Sequence, residues 1–266
     1  KSLGLDENNI GFEGAKNLVK AIENGNLPKL MSLTLRDTKI GFEGVKALAN
    51  AINSGKLTNL KSLELGRNNI GYEGVKALAD AINSCKLTNL QSLDLCENNI
   101  GFEGAEVLAK VIENGNLTQL KNLFLYNNNI SFKGAAALAD AINSGKLSEL
   151  ECLLLDNNNI LCNGINCLIN VVNFENLPNL KDFRLSGNSG DRSCIQNLKT
   201  AISGGTLPTK LIKVYFGIEE QIKDGKGQMI DIQDIVDGLR NAIKVAKENQ
   251  RISKSLNLRI FDIVIN

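Results

Sequence analysis

The stretch "LKSLELGRNNIGYEGVKALADAINSCKLTN", Leu60 to Asn89, is followed at once by "LQSLDLCENNIGFEGAEVLAKVIENGNLTQ". A chain that restates itself at a thirty-residue period has few folds open to it. Each copy is too small to bury its own apolar residues, so copies must stack side by side. Aligned on itself, the sequence yields the template L-x-x-L-x-L-x-x-N-x-I-G-F-E-G. Full copies begin at Leu30, Leu60, Leu90, Leu120 and Leu150. A partial first copy holds Leu3, Leu5, Asn8 and Ile10, and a degenerate one holds Leu180, Phe183, Leu185 and Asn188.

Within a copy the apolar period changes from two to about 3.6, which predicts a short strand followed by a helix. L-x-L alternates as a strand with one buried face does. Val45, Leu48, Ala49 and Ile52, and likewise Val75, Leu78, Ala79 and Ile82, form the stripe of an amphipathic helix. Glu13, Glu43, Glu73 and Glu103 fall in the first helical turn, where the helix dipole favours a carboxylate. Gly25, Gly55, Gly115 and Gly145 follow the last turn, where a left-handed residue ends a helix. Cys85 interrupts that glycine series, so its helix is expected to end differently or to carry a little strain. The asparagines Asn8, Asn68, Asn98, Asn128, Asn158 and Asn188 stand where the chain leaves the strand. They are expected to form an internal ladder, a short amide supplying both donor and acceptor to buried backbone. Strands need less lateral room than helices, so the stack is expected to bend into an α/β horseshoe with parallel strands on its concave side.

The pattern L-x-x-L-x-L-x-x-N-x-I followed by G-x-E-G-x-x-x-L-A-x-A-I resembles the leucine-rich repeat of the ribonuclease-inhibitor type. That subtype also occurs in the sensor domains of nucleotide-binding innate immune receptors and in Ran GTPase-activating proteins. The resemblance covers about residues 1–205. It implies a curved scaffold for protein recognition, with no fixed partner. Near-identical copies rich in Asn and Lys are also similar to leucine-rich repeat effectors that intracellular bacteria deliver into host cells. An effector acting in a host cytosol is one expectation.

Past Asp182 the pattern loosens. "CIQNLKTAISGGTL" still reads as a helix with Ile195, Leu198 and Ile202 inward. "LIKVYFG" adds a strand, and "DGKG" (224–227) a turn. "MIDIQDIVDGLRNAIKVAKENQ" reads as a longer helix with Ile232, Ile235, Val236, Leu239, Ile243 and Ala246 inward, and "SLNLRIFDIVIN" as a last strand. Residues 206–266 are expected to act as a C-terminal cap that hides the end of the stack.

The core positions hardly vary; the outward strand positions do. Between the two core leucines stand Gly4, Thr34, Glu64, Asp94, Phe124, Leu154, Arg184 and Tyr215 in turn. The next outward position holds Asp6, Arg36, Gly66, Cys96, Tyr126, Asp156 and Ser186, and the one after it Glu7, Asp37, Arg67, Glu97, Asn127, Asn157 and Gly187. The first half of this face is acidic, and its centre presents Phe124, Tyr126 and Leu154. Apolar groups on an outward strand face serve an interface better than they serve folding. The candidate partner-binding residues are therefore Glu64, Arg67, Asp94, Glu97, Phe124, Tyr126, Leu154, Asp156, Arg184 and Tyr215. They would meet a protein with a basic edge and an apolar knob.

Composition narrows the alternatives. Lys+Arg 30 against Asp+Glu 29 gives no basic surplus for nucleic acid or anionic lipid. No apolar run approaches the ~20 residues of a membrane span. "KSLGLDENNI" already lies inside a repeat, so no signal peptide is expected there and a leading segment is expected to have been lost. The chain has no histidine, which removes the usual general base. Neither a metal site nor a cofactor is expected, and the protein is read as a non-enzymatic monomer. The six cysteines share no repeat position and no CxxC spacing, so free thiols in a reducing cytoplasm are expected. Among them Cys96 should face the concave surface. The rival reading, a GTPase activator of the Ran-activating type, would draw on Arg36 or Arg67 for the transferring phosphate.

Overall fold

A computed structural model describes residues 1–173, 175–189, 192–208, 210–211, 213–216, 232–249, 252, 256–260 and 263–265. Strand and helix alternate from the first residues onward: β1 Ser2–Gly4, α1 Gly11–Glu23, β2 Ser32–Thr34, α2 Gly41–Asn53, β3 Ser62–Glu64, α3 Gly71–Asn83, β4 Ser92–Asp94 and α4 Gly101–Glu113. The series goes on as β5 Asn122–Phe124, α5 Ser131–Asn143, β6 Cys152–Leu154, α6 Leu161–Val171, β7 Asp182–Leu185 and α7 Arg192–Gly204. It ends with β8 Lys213–Phe216, α8 Ile232–Glu248, β9 Asn257–Ile260 and β10 Ile263–Ile265. The strands form one sheet in chain order, parallel from β1 to β9, with β10 folding back antiparallel on β9. The terminal segment thus contributes a hairpin where a single strand was expected. "DGKG" lies outside the described residues, as do the side chains of Ile232, Ile235 and Val236. Leu239, Ile243 and Ala246 are buried, as that helix's pattern predicts.

The leucines that set the repeat are the core. Leu33, Leu63, Leu93, Leu123 and Leu153 lie opposite one another in register and are buried. Helix residues Val45, Leu48 and Ile52, with their counterparts in each repeat, pack onto them. Two glycines bracket the aromatic residue at the starts of α1 to α4, for two reasons. The first takes a left-handed conformation, with φ of 62° at Gly71. The second makes room: a Cβ on Gly74 would lie 2.1 Å from Ile70 Cγ2 and 3.3 Å from the backbone of Phe42 on the preceding helix.

The asparagine ladder is present from Asn68 to Asn188, all buried, whereas Asn8 is exposed and donates only to Leu5 and Asp6 of its own repeat. Asn98 Nδ2 donates to the carbonyls of Leu65 at 2.9 Å, Leu95 at 3.1 Å and Cys96 at 3.0 Å. Its Oδ1 accepts from the backbone N–H of Asn68 at 2.9 Å and of Ile70 at 3.3 Å. One side chain thus ties two consecutive repeats together. Asn128 and Asn158 repeat the arrangement. The asparagines on either side have a separate task. Asn127, Asn129, Asn157 and Asn159 all have φ between 53° and 56°, a region that asparagine tolerates better than most residues. The Asn-Asn-Asn runs therefore combine one internal bracket with two left-handed corners.

Candidate functional site: the concave strand face

Strand pairing aligns the outward row as Gly4, Thr34, Glu64, Asp94, Phe124, Leu154, Arg184 and Tyr215, each beside the next. Phe124, Tyr126 and Leu154 are partly exposed, so the aromatic centre lies on the surface and not in the core.

The acidic half is not simply acidic. Arg36 crosses from the second repeat to the fourth and fifth. Its Nη1 donates to Asp94 Oδ2 at 3.0 Å and to Cys96 Sγ at 3.1 Å. Its Nη2 donates to Tyr126 Oη at 2.8 Å and to Glu97 Oε1 at 3.4 Å. The path is open because Gly66 stands between. A Cβ there would lie 2.7 Å from Cys96 Sγ and 3.1 Å from Arg36 Nη1. Arg67 Nε joins the same cluster by donating to Glu97 Oε1 at 2.8 Å.

This network corrects two expectations. Asp94, taken as a surface carboxylate, is only 4% exposed beneath Arg36. Cys96 is fully buried and not open to the concave face. Burial, with the Asp94 carboxylate beside it, pushes the Cys96 thiol up to about 12, so it is no nucleophile near neutral pH. Burial also pushes the Tyr126 hydroxyl up to about 12, and the Cys96 contact adds to this. Arg36 loses some stabilisation to burial, but Tyr126, Cys96 and Asp94 more than restore it and raise its pKa. Neither Arg36 nor Arg67 is a free cation.

Across the apolar centre lies a second neutralised group. Arg184 Nε and Nη2 grip Asp182 at 3.0 and 2.8 Å, and its guanidinium stacks 4.7 Å from the Tyr215 ring centroid. Asp156 accepts from the Ser186 backbone at 2.9 Å, and burial raises its pKa. Burial, then the nearby Asp94 and Asp6 charges, raises the pKa of Glu64, which accepts from Ser62 Oγ at 3.2 Å. The structure thus gathers Asp94, Glu97, Arg67 and Tyr126 around Arg36, and sets Phe124 beside Leu154 and Arg184 beside Tyr215. Glu64 and Asp156 feel the charges of these networks but hydrogen-bond to neither Arg36 nor Arg184. Sequence reasoning missed Ser62 and Asp182, one alternation earlier on the same strand face. It also missed the reach of Arg36, whose one signal was a glycine in an outward row of larger residues.

Among the described residues, no cluster of three or more His, Cys, Asp or Glu side chains is placed to hold a metal ion. No described helix is long and apolar enough to cross a membrane. The free-thiol expectation fails at one pair. Cys162 and Cys194 are joined as a disulfide, while Cys85, Cys96, Cys152 and Cys167 are free.

No curated protein matches the sequence. Among solved structures, an internalin (inlF) from Listeria monocytogenes is similar at 19% identity and a TM-score of 0.48, over 90% of this chain and 58% of the internalin chain. This chain therefore spans less than two thirds of that protein's length. A protein from Bacteroides fragilis is similar at 15% identity and a TM-score of 0.47, over 98% of this chain and 73% of the other. A TLR13 chain from a TLR13–ssRNA13 complex is similar at 19% identity and a TM-score of 0.35, over 85% of this chain and 37% of that one. Residues 26–49, 56–79 and 86–109 each match the Leucine Rich repeat family, and the strand–helix units that include them stack as an α/β horseshoe.

Proposed function

We propose that the concave strand face recognises another protein, and that the chain is a non-enzymatic scaffold for that contact. One observation carries the reading. Phe124 and Leu154 stand side by side, partly exposed, between two charge networks that are already neutralised internally. A rigid apolar centre ringed by satisfied polar groups is how an interface anchor is built, because the anchor can be desolvated without stranding a charge. The partner presents an apolar knob to Phe124, Tyr126 and Leu154. Glu64, hydrogen-bonded to neither arginine and close to Asp6 and Asp94, favours a cationic group at the knob's edge.

The charge networks favour this reading over GTPase activation, since both candidate arginines are held by carboxylates. We assign the repeats to the ribonuclease-inhibitor type on the regular thirteen-residue helix in each of the first five. Residues 206–266 serve as the cap. A monomeric effector delivered by a bacterium into a host cytosol fits the same reading, on the uniformity of the Asn- and Lys-rich copies.

Site-specific photocrosslinking in a lysate tests the concave face. A crosslinker at Leu154 should capture a discrete adduct that disappears in Phe124→Asp, while one at Lys110 on the convex helices should capture none. Equal capture at both positions, or an adduct indifferent to Phe124→Asp, would overturn the proposal.

A further inference from the structure

The disulfide between Cys162 and Cys194 sits where no repeat requires a covalent link. Both residues stand at the beginnings of neighbouring helices, α6 and α7, 32 residues apart in sequence, with Cα atoms 5.8 Å apart. That spacing lies within the usual disulfide range. At the position of Cys162 the earlier repeats carry Phe12, Phe42, Tyr72, Phe102 and Phe132. A half-cystine thus stands where the earlier repeats carry an aromatic ring, at the junction where the template degenerates. The α6 helix is also shorter than its predecessors, 11 residues against 13, so it offers α7 a smaller packing face.

The two sulfurs are unequally reachable. Cys194 is fully buried. Cys162 is partly exposed, with its Sγ 2.9 Å from Ser193 Oγ and accepting from Asn166 Nδ2 at 3.4 Å. A small thiol from solution can approach Cys162, and Cys194 is then the leaving group.

We propose that Cys162–Cys194 is a thiol-controlled clasp that fastens the α7 unit to the regular repeats, opened by a small thiol of the glutathione class and closed by its disulfide. In opening, a glutathione thiolate attacks Cys162 Sγ. The S–S bond breaks, and its electron pair goes to Cys194 Sγ, which takes up a proton. A second glutathione thiolate attacks the mixed disulfide, releasing Cys162 as a thiolate and one molecule of oxidised glutathione. Closing is the reverse, with two protein thiols oxidised and one oxidised glutathione reduced to two thiols. The clasp joins the repeats whose strands, β6 and β7, carry Leu154 and Arg184. Thiol poise therefore sets how firmly the far half of the concave row is held, and the clasp opens in a glutathione-rich compartment.

Peptide mapping after alkylation, together with amide hydrogen exchange on the whole chain, tests this. After oxidised glutathione, Cys162 and Cys194 should be recovered linked to each other. After reduced glutathione both should be alkylated, and amides of α7 should exchange roughly tenfold faster or more, while those of α2–α4 stay unchanged. Cys162→Ser, at the partly exposed member, should exchange at the open rate under both treatments. Recovery of both thiols free after oxidised glutathione would sink the proposal. So would linkage to Cys167 or between two molecules, or α7 exchange that is the same in both states.

Discussion

At Cys85 a single residue departs from the rule its repeat otherwise obeys. Helix α3 closes through Cys85 with φ of 60°, while Gly25, Gly55, Gly115 and Gly145 close the neighbouring helices at 71–76°. A side chain in that region costs ~1–2 kcal/mol, and glycine gives back ~0.5–1 kcal/mol through its freer unfolded chain. Cys85→Gly is therefore expected to stabilise the protein by ~0.5–1 kcal/mol, seen as a higher urea midpoint at unchanged slope. The weak Cys85 contact to Asn116, at 3.2 Å on an exposed side chain, does not offset this. Glu64 is the electrostatic counterpart. Its raised pKa means that the folded protein binds the proton more tightly than the unfolded chain does. It therefore costs stability above the folded-state value, and that cost fades as pH falls through the value. Glu64→Gln should stabilise at pH 7 by less than ~0.5 kcal/mol, because solvent screens a partly exposed carboxylate. The advantage should vanish in melts below about pH 4, where the wild-type carboxyl is protonated in both states. A gain that persists there would point to packing and not to charge.

At the scale of the repeat unit, the ladder shows which parts of a thirty-residue copy are interchangeable. Thr38 fills the ladder position of the second repeat. Its hydroxyl reaches the Leu35 carbonyl at 2.6 Å and Asn68 Oδ1 at 3.0 Å, but it does not bridge back to the first repeat as Asn68 bridges back to Leu35. Thr38→Asn should supply that bridge to Leu5, Asn8 and Ile10, and raise stability by ~1 kcal/mol. The gain should be seen as slower amide exchange in the first repeat. In the opposite direction, Asn98→Ala would strand the N–H groups of Asn68 and Ile70 in the interior and leave the carbonyls of Leu65, Leu95 and Cys96 with one donor fewer each, and should cost ~2–3 kcal/mol. Strand, helix, ladder and outward row were all legible in the sequence, because each rests on a short-range period that thirty-residue copies display many times over. The left-handed asparagine corners were less legible, since Asn127 and Asn129 look the same as the ladder residue Asn128 between them. Least legible were the contacts made once only. Nothing periodic announces Arg36 over Gly66, the burial of Cys96 beneath it, or the pairing of Cys162 with Cys194 at a spacing two residues off the repeat.

For the molecule as a whole, such one-off contacts decide how far neighbouring repeats act together. In a solenoid each repeat touches only the next, and stability is close to a sum of units and adjacent interfaces. Arg36 departs from that arithmetic by reaching past the third repeat to Asp94, Cys96 and Glu97 in the fourth and Tyr126 in the fifth. Asp94 is nearly buried while Arg36 keeps partial contact with solvent, with side-chain exposures of 6% and 28%. Removing the arginine would leave the nearly buried Asp94 carboxylate without its cation, and breaking such a pair from one side costs ~3–5 kcal/mol when both members are fully buried. With Arg36 still partly in contact with solvent, the expected loss for Arg36→Ala is ~2–3 kcal/mol. Arg36→Ala combined with Asp94→Asn should recover most of it, because the second change removes the stranded charge. The double-mutant cycle then reads the coupling between repeats two and four directly. Arg67→Ala is the internal reference. It breaks a solvent-exposed pair with Glu97 and should cost far less than Arg36→Ala. The slope of the urea transition carries the same information independently. If Arg36 couples these repeats, its removal should make unfolding less cooperative and lower the apparent slope, whereas Arg67→Ala should leave the slope unchanged. A loss at Arg36 no larger than that at Arg67, with both slopes intact, would mean that the arginine lies across four repeats without joining them.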